Sequence, residues 1–277
     1  MRCLSPAVAL VALTGAVTPF IAEAQSAKDV LNGMVTEYEK RMANVANYTV
    51  VQDAMGTPMT MYFEKETVDG RAVFRLRHSS VAGMTSSREG EDREDFDMYA
   101  ELPKLAERAT YKGRETVDGQ AVHVIVIDDM QGIRFGRGMT PQNADFEPRR
   151  ATLYVDTRQS VPRRMILEGQ MRNEGKMADV TTTVDMLDYR EVEGMLHPFR
   201  SQVRIEGLGQ AADPEQRKQY EEMKKQLADM PESQRQMVEQ MMKGRLEQME
   251  KMMAGDGGMN VELLVRELRV NKGAPNR

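Results

Sequence analysis

Met195-Leu196-His197-Pro198-Phe199-Arg200-Ser201-Gln202-Val203-Arg204-Ile205-Glu206 decides the fold. Met195, His197, Phe199, Ser201, Val203 and Ile205 fall on one side of an extended chain. Leu196, Pro198, Arg200, Gln202, Arg204 and Glu206 fall on the other. A period of two with one apolar and one wet face marks an antiparallel strand covered on one side. The pattern recurs upstream. Met59, Met61 and Phe63 alternate with Thr60 and Tyr62, and Ala151, Leu153 and Val155 alternate with Thr152, Tyr154 and Asp156.

The turns between these runs are legible too. Glu66-Thr67-Val68-Asp69-Gly70 and Glu115-Thr116-Val117-Asp118-Gly119 each place Asp-Gly between two strand-like runs, and Val192-Glu193-Gly194-Met195 offers a third hairpin. Asp-Gly suits a two-residue turn whose central residues both need positive φ. The echo between the first two turns does not continue to the third, so shared turn chemistry accounts for it better than an internal repeat. About ten strands are expected, near 48–53, 58–66, 71–78, 109–116, 120–128, 150–156, 162–171, 180–190, 195–206 and 260–270. A meander of that number favours one large curved antiparallel sheet or an open barrel.

Before the sheet, Ser26 to Asn47 carries helical spacing at Val30, Leu31, Met34, Val35, Tyr38, Met42 and Val45, with Ser26 as a cap residue. A second helical spacing runs through Phe96, Tyr99, Leu102, Leu105 and Ala106, after the polar, acidic stretch 88–95. The stretch 129–149 reads as a long Gly- and Pro-punctuated loop. The class is therefore α+β: a large open or half-barrel antiparallel sheet wrapped on helices.

Residues 212–258 interrupt the strands. Asp213-Pro214-Glu215 is a helix start, with Tyr220, Met223, Leu227 and Met230 at helical steps, and Pro231 stops or restarts the helix. Met237, Val238, Met241, Met242, Leu246, Met249, Met252 and Met253 form a second apolar stripe. Three readings of these methionines stand side by side: packing on the sheet, an adaptable surface for apolar ligands or partner proteins, and soft-metal Cu(I) binding. Methionine is abundant along the whole chain, 24 in 277 residues, which weakens the metal reading.

Composition bounds the function. The net charge of -5 argues against a general nucleic-acid binder, which needs a basic face for phosphates. One Cys removes any disulfide framework and any Cys-based zinc site. Arg2 followed by the apolar stretch 4–21 and by Ala22-Glu23-Ala24 reads as an export signal cleaved after Ala24. Cleavage takes Cys3 with it and leaves Gln25 at the N-terminus, so the pattern for a lipid-anchored Cys is absent. The domain organisation expected is a signal at 1–24 and a single exported domain at 25–277 carrying the insertion.

No catalytic residue is assigned. His78, His123 and His197 lack any metal-ligand spacing, Asp128-Asp129 reads as a strand exit into solvent, and no nucleophile elbow, phosphate loop or dinucleotide fingerprint occurs. A non-enzyme with no metal and no cofactor is expected.

Three stretches then carry a resemblance. These are Tyr111-Lys112-Gly113-Arg114-Glu115-Thr116-Val117-Asp118-Gly119, Ala151-Thr152-Leu153-Tyr154-Val155-Asp156-Thr157 with Val161-Pro162-Arg163-Arg164, and Asp188-Tyr189-Arg190-Glu191-Val192-Glu193-Gly194-Met195-Leu196-His197-Pro198-Phe199. With an export signal, an amphipathic helix and a long meander, the chain resembles the periplasmic lipoprotein-carrier superfamily, LolA and LolB and their relatives, over roughly 26–210 and 259–271. No Arg here aligns with the latch arginine of the classical carrier. The resemblance implies a curved sheet enclosing an apolar cavity for lipid or lipoprotein acyl chains, in the periplasm, with membrane-associated transport or acceptor proteins as partners. Cavity-lining positions expected on that basis are Met61, Phe63, Val124, Val126, Leu153, Val155, Ile166, Phe199, Val203 and Leu263, each subject to strand register. The alternative expectation is a periplasmic interaction or sensor module that docks through the Met-rich insertion.

Overall fold

The computed structural model describes residues 26–68, 70–82, 84–87, 98–131, 145–173, 176–207, 214–232, 235 and 258–274. The stretch read as an export signal, the stripe 237–253 and residues 132–144 of the expected 129–149 loop lie outside the described residues; the end of that expected loop, 145–149, is strand instead. Among the described residues no helix is long and apolar enough to cross a membrane.

Helix α1 spans Ala27–Met42. Ser26 caps it with a reciprocal capping box: the Asp29 backbone N–H donates to the Ser26 hydroxyl at 3.1 Å, and the Ser26 N–H donates back to the Asp29 carboxylate at 3.3 Å. Such a cap contributes about 1 kcal/mol by satisfying N–H groups the helix cannot. Ala27, Val30, Leu31, Met34 and Met42 form its buried stripe. Helix α2, Met98–Leu105, buries Leu102 and Leu105 and packs beside α1, where Tyr99 stacks on Tyr38 with ring centroids 3.8 Å apart. Helix α3, Pro214–Asp229, opens the insertion where the sequence places a helix start.

Among the described residues eleven antiparallel strands make one open sheet. They are β1 (Asn47–Ala54), β2 (Thr57–Val68), β3 (Arg71–Val81), β4 (Met84–Ser87), β5 (Ala109–Val117), β6 (Gln120–Ile127), β7 (Asp145–Asp156), β8 (Pro162–Asn173), β9 (Lys176–Val192), β10 (Met195–Glu206) and β11 (Met259–Val270). Their order is β4-β3-β2-β1-β11-β10-β9-β8-β7-β6-β5. Beyond the expected strands there is the short edge strand β4, in a segment without alternation. The C-terminal strand β11 enters between β1 and β10, which joins two meanders into one sheet.

Tight hairpins hold the register. Asp118 and Gly119 have φ of 50° and 77°, and Glu193 and Gly194 have 49° and 87°, the positive pair a primed turn requires. Met55-Gly56, at 51° and 78°, forms another between β1 and β2 that the sequence did not advertise.

The sheet wraps α1 and α2 on its inner face. One core cluster joins Val30, Leu31 and Met34 of α1 and Leu102 of α2 to Ile125, Leu153, Met165 and Val184 of β6–β9. A second joins Met42 and Val45, past the end of α1, to Val50, Phe74, Phe199, Leu268 and Val270. Gly169 of β8 is required where Phe146 crosses it. A Cβ there would sit 2.4 Å from the Glu147 carbonyl and 2.7 Å from the Phe146 ring.

Candidate functional site: a half-exposed apolar strip on the inner face

Strand register maps the inner face row by row. One row runs Tyr111–Ile125–Leu153–Met165–Val184–Val203–Val261, from the edge strand β5 to β11. Ile125, Leu153, Met165 and Val184 are buried beneath the helices, whereas Val203 and Val261 are half-exposed. The same side of the sheet therefore emerges from under its helical cover at β10.

The adjacent row, Thr57–Ala54–Leu263–Ser201–Met186, crosses β2, β1, β11, β10 and β9, and every member is half-exposed. Four interstrand spacings of about 4.8 Å give this strip a length of about 19 Å. Met59 and Val265 flank it on the next row, with the buried Gln52 between them. Apart from the Tyr111 phenol on the edge strand β5, these rows carry no ionisable side chain. Period-two alternation sends the nearby charges outward, where Arg266 pairs with Asp53 and Arg200 pairs with Glu262 at 2.7 Å.

The helical cover is fastened at several points. The Arg41 guanidinium donates to the Gln159 carbonyl at 2.7 Å, in the turn between β7 and β8. The Lys65 ammonium donates to the carbonyls of Met42 and Ala43, at 2.7 and 2.9 Å, which closes the C-terminal end of α1. The turn that receives Arg41 is itself rigid. Asp156, 4% exposed, accepts the backbone N–H groups of Arg158 and Gln159, each at 2.8 Å, and the Arg163 guanidinium at 2.9 Å. Burial alone pushes the Asp156 carboxyl up. The N–H groups of Gln159 and Arg158 and the Arg163 charge outweigh burial and hold it below the usual carboxylate range. Arg163 also lies 4.9 Å over the Tyr189 ring, and the Tyr189 hydroxyl donates to the Pro162 carbonyl at 2.6 Å. Burial drives that phenol well above its ordinary value.

The structure divides the ten expected lining residues instead of gathering them in one hollow. Met61, Phe63, Leu153, Val155, Phe199, Val203 and Leu263 lie on the inner face. Leu153 and Val155 are packed beneath α1, at 2% and 1% exposure, and Phe199 is packed in the second cluster. Val124, Val126 and Ile166 point to the outer face. Val124 pairs with Tyr154 and Val126 with Thr152, and Thr152 pairs with Ile166. Those partners alternate with the inward Leu153. Strand β6 is apolar on both sides from Val124 to Ile127, so its orientation could not be read locally. Met61, Val203 and Leu263 are the three inward and half-exposed positions at or beside the strip. The sequence did not single out Ala54, Met59, Met186, Val261 or Val265, although their spacing on their strands carried the signal.

The histidines lie far apart. His78 stacks on Tyr62 at 6.0 Å, and the His123 Nδ1 lies 3.2 Å from the Tyr111 hydroxyl. His197 is half-buried beside Phe199, and burial pushes it down to about 4. They sit on β3, β6 and β10, with at least four interstrand spacings between neighbours, about 19 Å. Asp128 and Asp129 pair with Arg150 at 3.1 Å and Arg108 at 3.5 Å instead of with each other. They border a polar cleft of about 340 Å³ with Glu147 and Arg149. Among the described residues no group of three His, Cys, Asp or Glu is placed to hold a metal ion.

No protein-family profile matches this chain, and no curated protein does. Solved structures of similar course exist. A DUF1329 family protein from Desulfovibrio piger is 11% identical, covering 90% of this chain and 93% of that one, at a TM-score of 0.41. A putative outer membrane lipoprotein-sorting protein domain from Vibrio parahaemolyticus is 10% identical, covering 88% and 95%, at 0.40. The lipoprotein LppX of Mycobacterium tuberculosis is 8% identical, covering 88% and 97%, at 0.18. The chemistry of the site is read from the residues of this chain alone.

Proposed function

We propose that this protein is an exported periplasmic carrier that binds the acyl chain of a lipid or lipoprotein, without catalysis. The supporting observation is the strip Thr57–Ala54–Leu263–Ser201–Met186: apolar or uncharged, about 19 Å long and half-exposed on the inner face of the sheet. A long narrow apolar surface without ionisable groups suits a flexible hydrocarbon chain better than a charged or planar ligand. Covering it gains about 25 cal/mol for each Å² of apolar surface removed from water. The C-terminal end of α1 is tied by Arg41 and Lys65, and the turn that follows it by the Asn271 side chain, which accepts the Ala46 N–H at 2.7 Å. Loading therefore uses the surface beside the helix and leaves the packing beneath it undisturbed.

The test is purification of the mature chain from the periplasm without detergent, followed by lipid extraction and denaturing mass spectrometry, and by a palmitate titration of the delipidated protein. A stoichiometric co-purifying lipid, or saturable palmitate uptake, is the expected result. Protein that neither carries nor takes up any lipid would remove the reading.

A further inference from the structure

Among the described residues the methionines range from fully buried to exposed, and two groups matter here. Met34, Met42, Met165, Met171 and Met195 are buried at 4% exposure or less, beneath the helices or between strands. Met59, Met61, Met186 and Met259 are half-buried on the inner face: Met186 lies in the strip, Met59 one row from it, and Met61 and Met259 two rows from it on opposite sides, against the core clusters. The only Cys in the sequence is Cys3, and Trp is absent, so beyond residue 3 sulfur oxidation falls on methionine. An apolar face that carries half-buried thioethers is chemically switchable, because one oxygen atom makes each side chain polar.

We propose that Met59, Met61, Met186 and Met259 are a site of reversible oxidation by peroxides that turns the strip from apolar to polar and releases its acyl ligand. The inference rests on the carrier reading. In the step, the thioether sulfur attacks the peroxide, the O–O bond breaks, and a sulfoxide and one water form from one H2O2. Sulfur loses two electrons and the peroxide oxygen gains them. Return requires a dithiol-dependent sulfoxide reductase, which removes the oxygen as water and leaves a disulfide. A sulfoxide dipole on an acyl-binding surface opposes burial unless it is hydrogen-bonded; at Met186 the Tyr189 hydroxyl, 3.6 Å from the sulfur, is a neighbouring donor.

The experiment treats delipidated full-length mature protein with hydrogen peroxide, removes the oxidant, maps sulfoxides by peptide mass spectrometry and titrates palmitate. Expected are sulfoxides at these four positions, none at Met34 or Met165, palmitate binding weakened tenfold or more, and recovery after methionine sulfoxide reductase. The variant M59L/M61L/M186L/M259L keeps the apolar volume and cannot be oxidised there. It still carries the exposed Met55, Met177 and Met230. Its palmitate binding should be unchanged by peroxide. These four methionines unreacted beside oxidised Met55, undiminished binding by the oxidised protein, or equal loss in the leucine variant would each overturn the switch. Absence of palmitate binding before any treatment overturns the carrier reading instead, and the sulfoxide map still decides whether the strip is the oxidised site.

Discussion

Arg41 of α1 donates to the backbone carbonyl of Gln159 across 2.7 Å, joining the helix to the turn between β7 and β8. These residues are 118 apart in sequence. Arg41 also lies 3.7 Å from Glu37, one helical turn earlier. The Gln159 carbonyl is held in place because Asp156 anchors the turn from inside. The helix is thus docked by apolar packing along its length and by two charged donors near its C-terminal end, Arg41 and Lys65.

Replacing Arg41 with Ala removes that donor and leaves the fold intact. A hydrogen bond from a charged group contributes about 1.5–3 kcal/mol, and the partial exposure of Arg41 places this one at the low end. We expect a loss of about 1–2 kcal/mol in urea unfolding, with an unchanged far-ultraviolet circular dichroism spectrum. No loss would mean that the core cluster and Lys65 dock the helix without it.

Asp156→Ala is a harsher change. It strands Arg163, whose side chain is 16% exposed, and two backbone N–H groups. Breaking a buried pair costs about 3–5 kcal/mol. Because the native carboxyl sits below its ordinary value, its contribution is complete above the unfolded pKa near 3.8 and is lost as pH falls through the native value. Urea midpoints of the parent between pH 5 and pH 2 should therefore fall more steeply than those of Asp156→Asn.

His197 acts in a different pH window. Burial holds it at about 4, below the ordinary 6.5, so the unfolded chain binds its proton first. Stability from neutral His197 is complete above pH 6.5 and declines between 6.5 and 4, by at most about 3 kcal/mol. His197→Gln should flatten that interval and leave the Asp156 interval below it. An identical slope between pH 6.5 and 4 in parent and variant would show that His197 does not drive it.

Leu153 and Leu263 separate packing from binding. Leu153, 2% exposed beneath α1, should lose about 2–5 kcal/mol on change to Ala. Half-exposed Leu263 should lose under about 1 kcal/mol. Leu263→Asp should retain the fold yet weaken palmitate binding at least tenfold. Equal destabilisation at both positions would mean that the strip belongs to the core.

Gly169→Ala tests the crossing of β7 and β8. A Cβ there collides with the Glu147 backbone, which cannot rotate away as a side chain can. A loss of at least about 2 kcal/mol in urea unfolding is expected. A neutral result would mean that Phe146 and its strand shift freely.

Much of the architecture was legible because it is local. The helix cap at Ser26, the period of 3.6 through Met34 and the period of two from Met195 to Ile205 each act within a few residues, and the glycines at 119 and 194 fix their own turns. Strand β4 was not legible because four residues of Met-Thr-Ser-Ser carry no alternation. The binding face was legible only in part. Val203 lies between the polar Gln202 and Arg204 and declares its side, whereas Leu263 is followed by another leucine and Val124 and Val126 sit among apolar neighbours.

By itself the sequence determined that this chain is a capped helix followed by an antiparallel meander, since propensity, periodicity and turn chemistry are properties of neighbouring residues. Tertiary structure decided that β11 inserts between β1 and β10. It decided that α1 covers Leu153 and Val155 but leaves Leu263 and Met186 half open, and that Arg41 meets Gln159. Those are long-range pairings. Their energies depend on which strand lies beside which and on how far one helix reaches across a sheet, and no local pattern of side chains encodes that distance.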